Sequence, residues 1–345
     1  MKKTIITVCL AATAALTSCT KDETPQTADK YSGQTVPIEI SLSDGSPTTR
    51  AGFFDDTADI PSAIEKYIGL IKVYIYDDTG TKAFETTITA DAYGSFLTTL
   101  EIPKELCGTT CTVYASANAD VTLSGNYSAQ ISNAYYTANT NFPHQADSYA
   151  EIIDPAYWTT SRKFIMSAWK NVYIEPYGFK TYVSMELARV EAKVALRVKV
   201  ADDFATTHGG AALSITGVRL QNLTNSVYIF RDTPYENWNR SLTQTPLVEN
   251  GYHHNLFYIF PRSGASNPVS ILISGIYDSD GNLSTTGDQT SVEYQIPVST
   301  GGEVDRNTFY RIDGVIKGVG SQNFDAQFKV KEWVTIPTQT ITMGE

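Results

Sequence analysis

The sequence predicts an all-β chain folded as two tandem antiparallel β-sandwiches. Three observations carry this. The composition sets 21 Tyr and 14 Phe against 18% charged residues, and Thr, Val and Ile are frequent where apolar stripes of helical period are scarce. Short runs of alternating apolar and polar residues recur between turns rich in Gly, Asn, Asp and Pro, the pattern of sandwiches with Greek-key connections. The length of 345 residues suits two domains of ~100–200 residues, each with its own core.

The fold is preceded by a leader. Lys2 and Lys3 introduce an apolar stretch over 5–15, followed by Leu16-Thr-Ser-Cys19. A membrane-spanning helix needs ~20 apolar residues; this run is shorter and stops at small residues and one cysteine, the layout of a bacterial lipoprotein signal. Residues 1–18 are therefore read as signal peptide and Cys19 as the lipid attachment point, which places the chain at the cell outer membrane. Residues 20–34 have the polar composition of a tether.

In the first strand, over 36–42, Val36, Ile38, Ile40 and Leu42 alternate with polar residues and share one face, and Pro37 suits a sheet edge. Next comes a turn-rich loop, Ser43-Asp-Gly-Ser-Pro-Thr-Thr-Arg50-Ala51-Gly. An arginine in such a loop is open to proteolysis at Arg50–Ala51, and otherwise is a solvated side chain. A helical turn is expected over 61–66, then strands over 68–76, 84–88, 96–102 and 110–117, long loops with one short helix over 123–157, and strands over 163–168, 172–176 and 182–187. Val183, Met185 and Leu187 fall on odd positions, whereas Val190, Ala192, Val194, Leu196 and Val198 fall on even ones. A bulge or chain switch near Ala188-Arg189 follows from that change of phase, and the boundary between sandwiches is placed there. The domains are then 19–50, a lipidated segment with the first strand, 51–187 and 188–345. Strands in the second half are expected over 213–222, 226–230, 254–260, 269–278, 292–298, 308–316 and 324–335.

A net charge of −11 argues against nucleic acid, whose binders carry a basic face. The four histidines, His144, His208, His253 and His254, have no metal-site spacing, and neither a G-x-S-x-G elbow nor a P-loop is present, so no enzyme, cofactor or metal is expected. Cys9 leaves with the signal, so Cys107 and Cys111 remain in the folded body. Export and the turn between them permit a disulfide; two partly buried thiols flanking a turn are the other reading.

Six segments occur in a telling order: the signal ending in Cys19; strand 36–42 with Thr49-Arg50-Ala51; Leu187-Ala-Arg189-Val-Glu-Ala-Lys193-Val; Phe257-Tyr-Ile-Phe-Pro261-Arg262; Arg306-Asn-Thr-Phe-Tyr310-Arg-Ile-Asp; and Phe328-Lys-Val-Lys-Glu-Trp333. Together they resemble the fimbrillins of Bacteroidales, the pilin subunits of type V fimbriae, in particular the major subunit of the short fimbriae and its gut relatives. The resemblance implies two transthyretin-like sandwiches, delivery as a lipoprotein, and cleavage after Arg50 by an arginine-specific protease. The lipidated segment then leaves with the first strand, and a strand of another fimbrial subunit fills the groove. The donor is expected in 334–345, with Val334, Ile336 and Ile341 as its apolar positions. Pro337, Thr338 and Thr340 fit apolar pockets poorly, and the same stretch also reads as the last strand of its own domain. Lys21-Asp-Glu23 resembles a surface-export tag of Bacteroidota lipoproteins, and Asp56-Thr57-Ala58 matches their short O-glycosylation pattern. The competing reading is a lipid-anchored module that binds glycan or host protein through Tyr-rich loops over 126–158.

Overall fold

Alternation of side chains along extended backbone is realised as two stacked pairs of sheets. The structure is a computed structural model and describes residues 33–43, 63–119, 128–131, 133–138, 146–158, 163–233, 238–263, 267–319, 324–332 and 341–342. The first sandwich is built from β1 (Thr35–Ser43), β2 (Tyr67–Tyr76), β3 (Lys82–Tyr93), β4 (Ser95–Pro103), β5 (Thr110–Ala117), β7 (Met166–Tyr173), β8 (Thr181–Glu186) and β9 (Ala188–Arg189). One sheet has the order β4-β1-β8 and the other β3-β2-β5-β7-β9. The second sandwich comprises β10 (Ala192–Val200), β11 (Ala212–Thr224), β13 (Trp238–Gln244), β14 (Leu247–Glu249), β15 (Tyr252–Ile259), β16 (Ser270–Asp278), β17 (Gln289–Pro297), β18 (Thr308–Ile316), β19 (Phe324–Glu332) and β20 (Ile341–Thr342). Its sheets run β14-β15-β10-β18-β19-β20 and β13-β11-β16-β17. A small ribbon of β6 (Tyr135–Thr137) and β12 (Ser226–Tyr228) joins the two halves.

The halves repeat one topology. In the first, β1 is antiparallel to β4 and parallel to β8; in the second, β10 is antiparallel to β15 and parallel to β18. Opposite them, β2 lies between β3 and β5, and β11 between β13 and β16. Each half has its own core. Ile38, Ile40, Leu42, Ile71, Val73, Val113 and Met185 lie in the first, and Val194, Leu196, Val218, Ile271, Tyr294 and Ile312 in the second.

Between the cores runs a seam of polar and aromatic side chains. The 3-10 turn Ala63–Lys66 carries Glu65 into it. Glu65 Oε1 accepts Lys193 Nζ at 2.9 Å and Tyr258 Oη at 2.6 Å, while the Glu65 carbonyl accepts Arg189 Nε at 2.9 Å. Burial, followed by the Glu65 charge, pushes the Tyr258 hydroxyl well above its ordinary range. Arg306 donates to the carbonyls of Ile229 at 2.9 Å and Ala188 at 2.8 Å and to Ser167 Oγ at 2.9 Å. Burial lowers its guanidinium to about 10. Phe164, Tyr258 and Phe309 pack beside this network with Tyr149, Ile152 and Tyr157.

Several expectations change. Strand 36–42 is not at an edge: β1 lies between β4 and β8. Pro37 is tolerated there because the β8 ladder begins only at Ile38, so the missing N–H falls where one flank has no partner strand. The sheets are not wholly antiparallel, since β1–β8 and β10–β18 are parallel pairs. Their members are far apart in sequence, which leaves chain enough for the crossover that parallel pairing demands. The expected strands 163–168 and 172–176 are one strand, β7, whose exposed middle residues, Trp169 to Asn171, keep their ladder to β5. The change of phase at Ala188-Arg189 is a chain switch: β9 pairs with β7 in the opposite sheet before β10 begins. Where one short helix was expected over 123–157, the described residues hold two, Ser128–Ile131 and Tyr149–Ile153. Of the adjacent histidines, read as surface residues, His253 is half-buried, and burial lowers its pKa.

Candidate functional site

The segment placed for a functional change is β1 and the slot it occupies. Val36 is 7% exposed and Ile38, Ile40 and Leu42 are 0% exposed, so alternation has sent all four into the core beside Leu100, Ile102, Val183 and Met185. At ~1.5–3 kcal/mol per fully buried apolar side chain, this face contributes on the order of 6–12 kcal/mol before ordering costs. Backbone adds ladders on both flanks: β1 pairs with β4 along its whole length and with β8 from Ile38 to Ser43. Its ends are tied by Lys104 N donating to the Gln34 carbonyl at 3.0 Å and Leu187 N donating to the Ser43 carbonyl at 2.7 Å. On the solvent face Lys180 Nζ reaches Glu39 Oε2 at 2.7 Å.

Taking β1 away would turn both β4 and β8 into inner edges around a slot one strand wide, with four empty apolar pockets. Unpaired ladder groups above apolar pockets are a template for another strand. Beside the start of β1 lies a cavity of about 470 Å³ lined by Thr35, Asp77, Asp78, Glu105 and Leu106. The chain leaves β1 through residues 44–62, so a cut in that connection would leave the strand held by non-covalent contacts alone.

Arg50, Ala51 and Thr57 belong to that connection and, like Cys19, Val334 and Ile336, lie outside the described residues. Ile341 is described: it pairs with Phe328 as part of β20 on the outer side of β19. The two cysteines for which a disulfide was left open are free thiols. Cys111 is wholly buried within the first core, its Sγ 3.5 Å from Thr109 Oγ1, and Cys107 lies at the core's margin. Burial pushes both thiols up. Iodoacetamide at neutral pH should therefore label Cys107 slowly and Cys111 only on unfolding; a native protein that mass spectrometry shows two hydrogens lighter, and that resists label even when unfolded, would restore the disulfide.

Among the described residues of the Tyr-rich loops, most aromatic side chains are taken up by packing. Tyr149 and Tyr157 are buried in the seam, and Trp158 stacks on Phe164 at 5.4 Å and donates to the Ile152 carbonyl at 3.0 Å. Of the described aromatic residues there, Tyr135 is the exposed one. Sequence reasoning missed Glu65, a single acidic residue with no motif around it. It did quote Arg189, Lys193, Tyr258 and Arg306 within the ordered segments, and the structure brings these four to the seam.

No family model matches the chain, and no curated protein matches it by sequence. Solved structures do match. A Parabacteroides distasonis protein described as a cell adhesion protein superimposes with a TM-score of 0.61 at 12% identity, over 88% of this chain and 98% of that one. The two chains share one fold. A fimbrilin of Porphyromonas gingivalis gives 0.55 at 15% identity, over 87% and 98% of the two chains. A tip fimbrial protein of the same organism, solved with a C-terminal truncation, gives 0.51 at 12% identity over 86% and 100%. Coverage is nearly complete on both sides, so the likeness spans both sandwiches. These neighbours are described as adhesion and fimbrial proteins.

Proposed function

We propose that this chain is a structural subunit of a cell-surface fimbria that supports adhesion. In this reading it is exported as an outer-membrane lipoprotein acylated at Cys19. An arginine-specific protease cuts after Arg50, and subunits polymerise when a strand from another subunit, homologous or identical, takes the place of β1. The observation that carries the reading is the position of β1. It is the first strand among the described residues, it is central in its sheet, and it inserts four apolar side chains, yet the segment holding Arg50 is its covalent tie to the strands that follow. The likeness in fold to fimbrial proteins supports it further.

Two outcomes test separate steps. N-terminal sequencing of the surface-exposed form should read from Ala51, and Arg50→Ala should retain the lipidated precursor and abolish polymer growth. Unchanged fimbriae in that variant would overturn cleavage at this site. Cys19→Ser should end acylation and leave precursor at the inner membrane; normal incorporation of labelled palmitate would refute the assignment of Cys19.

A further inference from the structure

Three carboxylates meet at one pole of the first sandwich. Asp77, Asp78 and Glu105 line the cavity of about 470 Å³ beside the start of β1, whose walls also include Ala83, Pro103 and Leu106. Its volume falls in the range of ~300–1,000 Å³ that ligand pockets occupy. Asp77 is fixed there: its Oδ1 accepts Thr79 N at 3.0 Å, Thr79 Oγ1 at 2.7 Å and Thr81 N at 2.9 Å. Burial raises its pKa, but these bonds outweigh burial and hold the carboxyl below its ordinary range. Asp78 and Glu105 have no ion-pair partner among the described residues. Two lysines adjoin wall residues in sequence, and both are engaged elsewhere. Lys82 Nζ is held by Glu85 Oε2 at 2.7 Å. Lys104 Nζ donates to Gln34 Oε1 at 3.3 Å and lies 3.4 Å from the centre of the Tyr177 ring. Gln34 lines the cavity as well, so the Tyr177 ring and the cavity are neighbours. Even with Lys104 over it, Tyr177 is 60% exposed, and Phe179 on the same turn is 73% exposed.

We infer that this pole docks a protein partner that places an arginine or lysine side chain in the cavity. Charge complementarity selects the occupant. An apolar stem against Ala83, Pro103 and Leu106 with a cationic head among Asp77, Asp78 and Glu105 is the form of such a side chain, and hydrogen bonds between a cation and a carboxylate are the strong ones. The two exposed rings decide the source. Aromatic side chains are enriched where proteins meet, and Tyr177 and Phe179 offer a flanking surface that a free amine would leave uncovered. None of the inward side chains of β1 lines the cavity, so this contact is separate from strand exchange and does not need β1 to leave.

The probe is a short peptide with a central arginine between two leucines, titrated into the full-length chain while the methyl signals of Leu106 are followed by NMR. Saturable shifts of those signals are expected, and they should vanish when citrulline, neutral and of the same shape, replaces the arginine. Asp78→Asn combined with Glu105→Gln should weaken binding about tenfold or more, the size of one lost charge-assisted hydrogen bond, with an unchanged melting temperature. Phe179→Ser should weaken it as well. No shift at Leu106, equal binding of the citrulline peptide, or indifference to the double variant would overturn the site. Arginine amide binding as tightly as the peptide, or indifference to Phe179→Ser, would overturn a protein as the source. Binding that emerges only in Lys30→Gln would assign the cavity to the chain's own tether and overturn the partner too. None of these results bears on cleavage or strand exchange.

Discussion

Deleting residues 335–345 should leave a subunit that melts as cooperatively as the full chain but no longer polymerises once β1 has been cut away. The described contact between that segment and its own sandwich is small. Ile341 and Thr342 lie against Phe328 and Gln327 on the outer side of β19, at the end of a sheet. At ~0.5–1.5 kcal/mol net per hydrogen bond, such a two-residue ladder contributes little to a total of roughly 5–15 kcal/mol. A donor strand, in contrast, would have to fill the pockets of Val36, Ile38, Ile40 and Leu42 in a neighbouring subunit, so its loss removes the link between subunits. Calorimetry of the truncated chain, paired with electron microscopy after cleavage at Arg50, separates the roles. A stable non-polymerising monomer supports the donor; loss of cooperative melting assigns the segment to its own fold.

The sequence made some of this legible, for a physical reason. A strand with one buried face writes its alternation into the chain, so the inward set of β1 could be named from Val36, Ile38, Ile40 and Leu42 alone. Alternation does not reveal the neighbours. An edge strand and a central strand with one solvated face read alike, and the parallel partner of β1 lies beyond residue 180, so the central position emerged only in three dimensions. The switch at Ala188-Arg189 was legible because a chain that changes sheets must change phase. β13 was not, since Trp238-Asn-Arg-Ser-Leu242-Thr-Gln244 is a mostly polar edge strand whose Leu242 joins the second core. The loop around Arg50 is an expectation drawn from its turn residues alone, and it lies outside the described residues. The seam was invisible for the opposite reason, because Glu65, Lys193 and Tyr258 meet only when both sandwiches are in place.

Lys193→Met should destabilise the chain by about 3–5 kcal/mol, the cost of removing one partner from a buried ion pair and leaving the other charge without it. Lys193 and Glu65 side chains are 3% and 1% exposed, so water cannot take the lysine's place. Methionine fills the volume of the lysine stem, and the loss is therefore electrostatic rather than a cavity. Adding Glu65→Gln should recover part of the loss, because a neutral amide oxygen still accepts from Tyr258 Oη and no charge stays buried in that spot. Arg189 keeps its two bonds to the Glu65 carbonyl in this pair of variants. Urea denaturation of the two single variants and the double variant gives the coupling directly. A Lys193→Met cost below ~1 kcal/mol would show that the seam is wet enough to screen the pair. A double variant no better than Lys193→Met would show that the lysine acts through packing against Tyr258 and Phe309 instead.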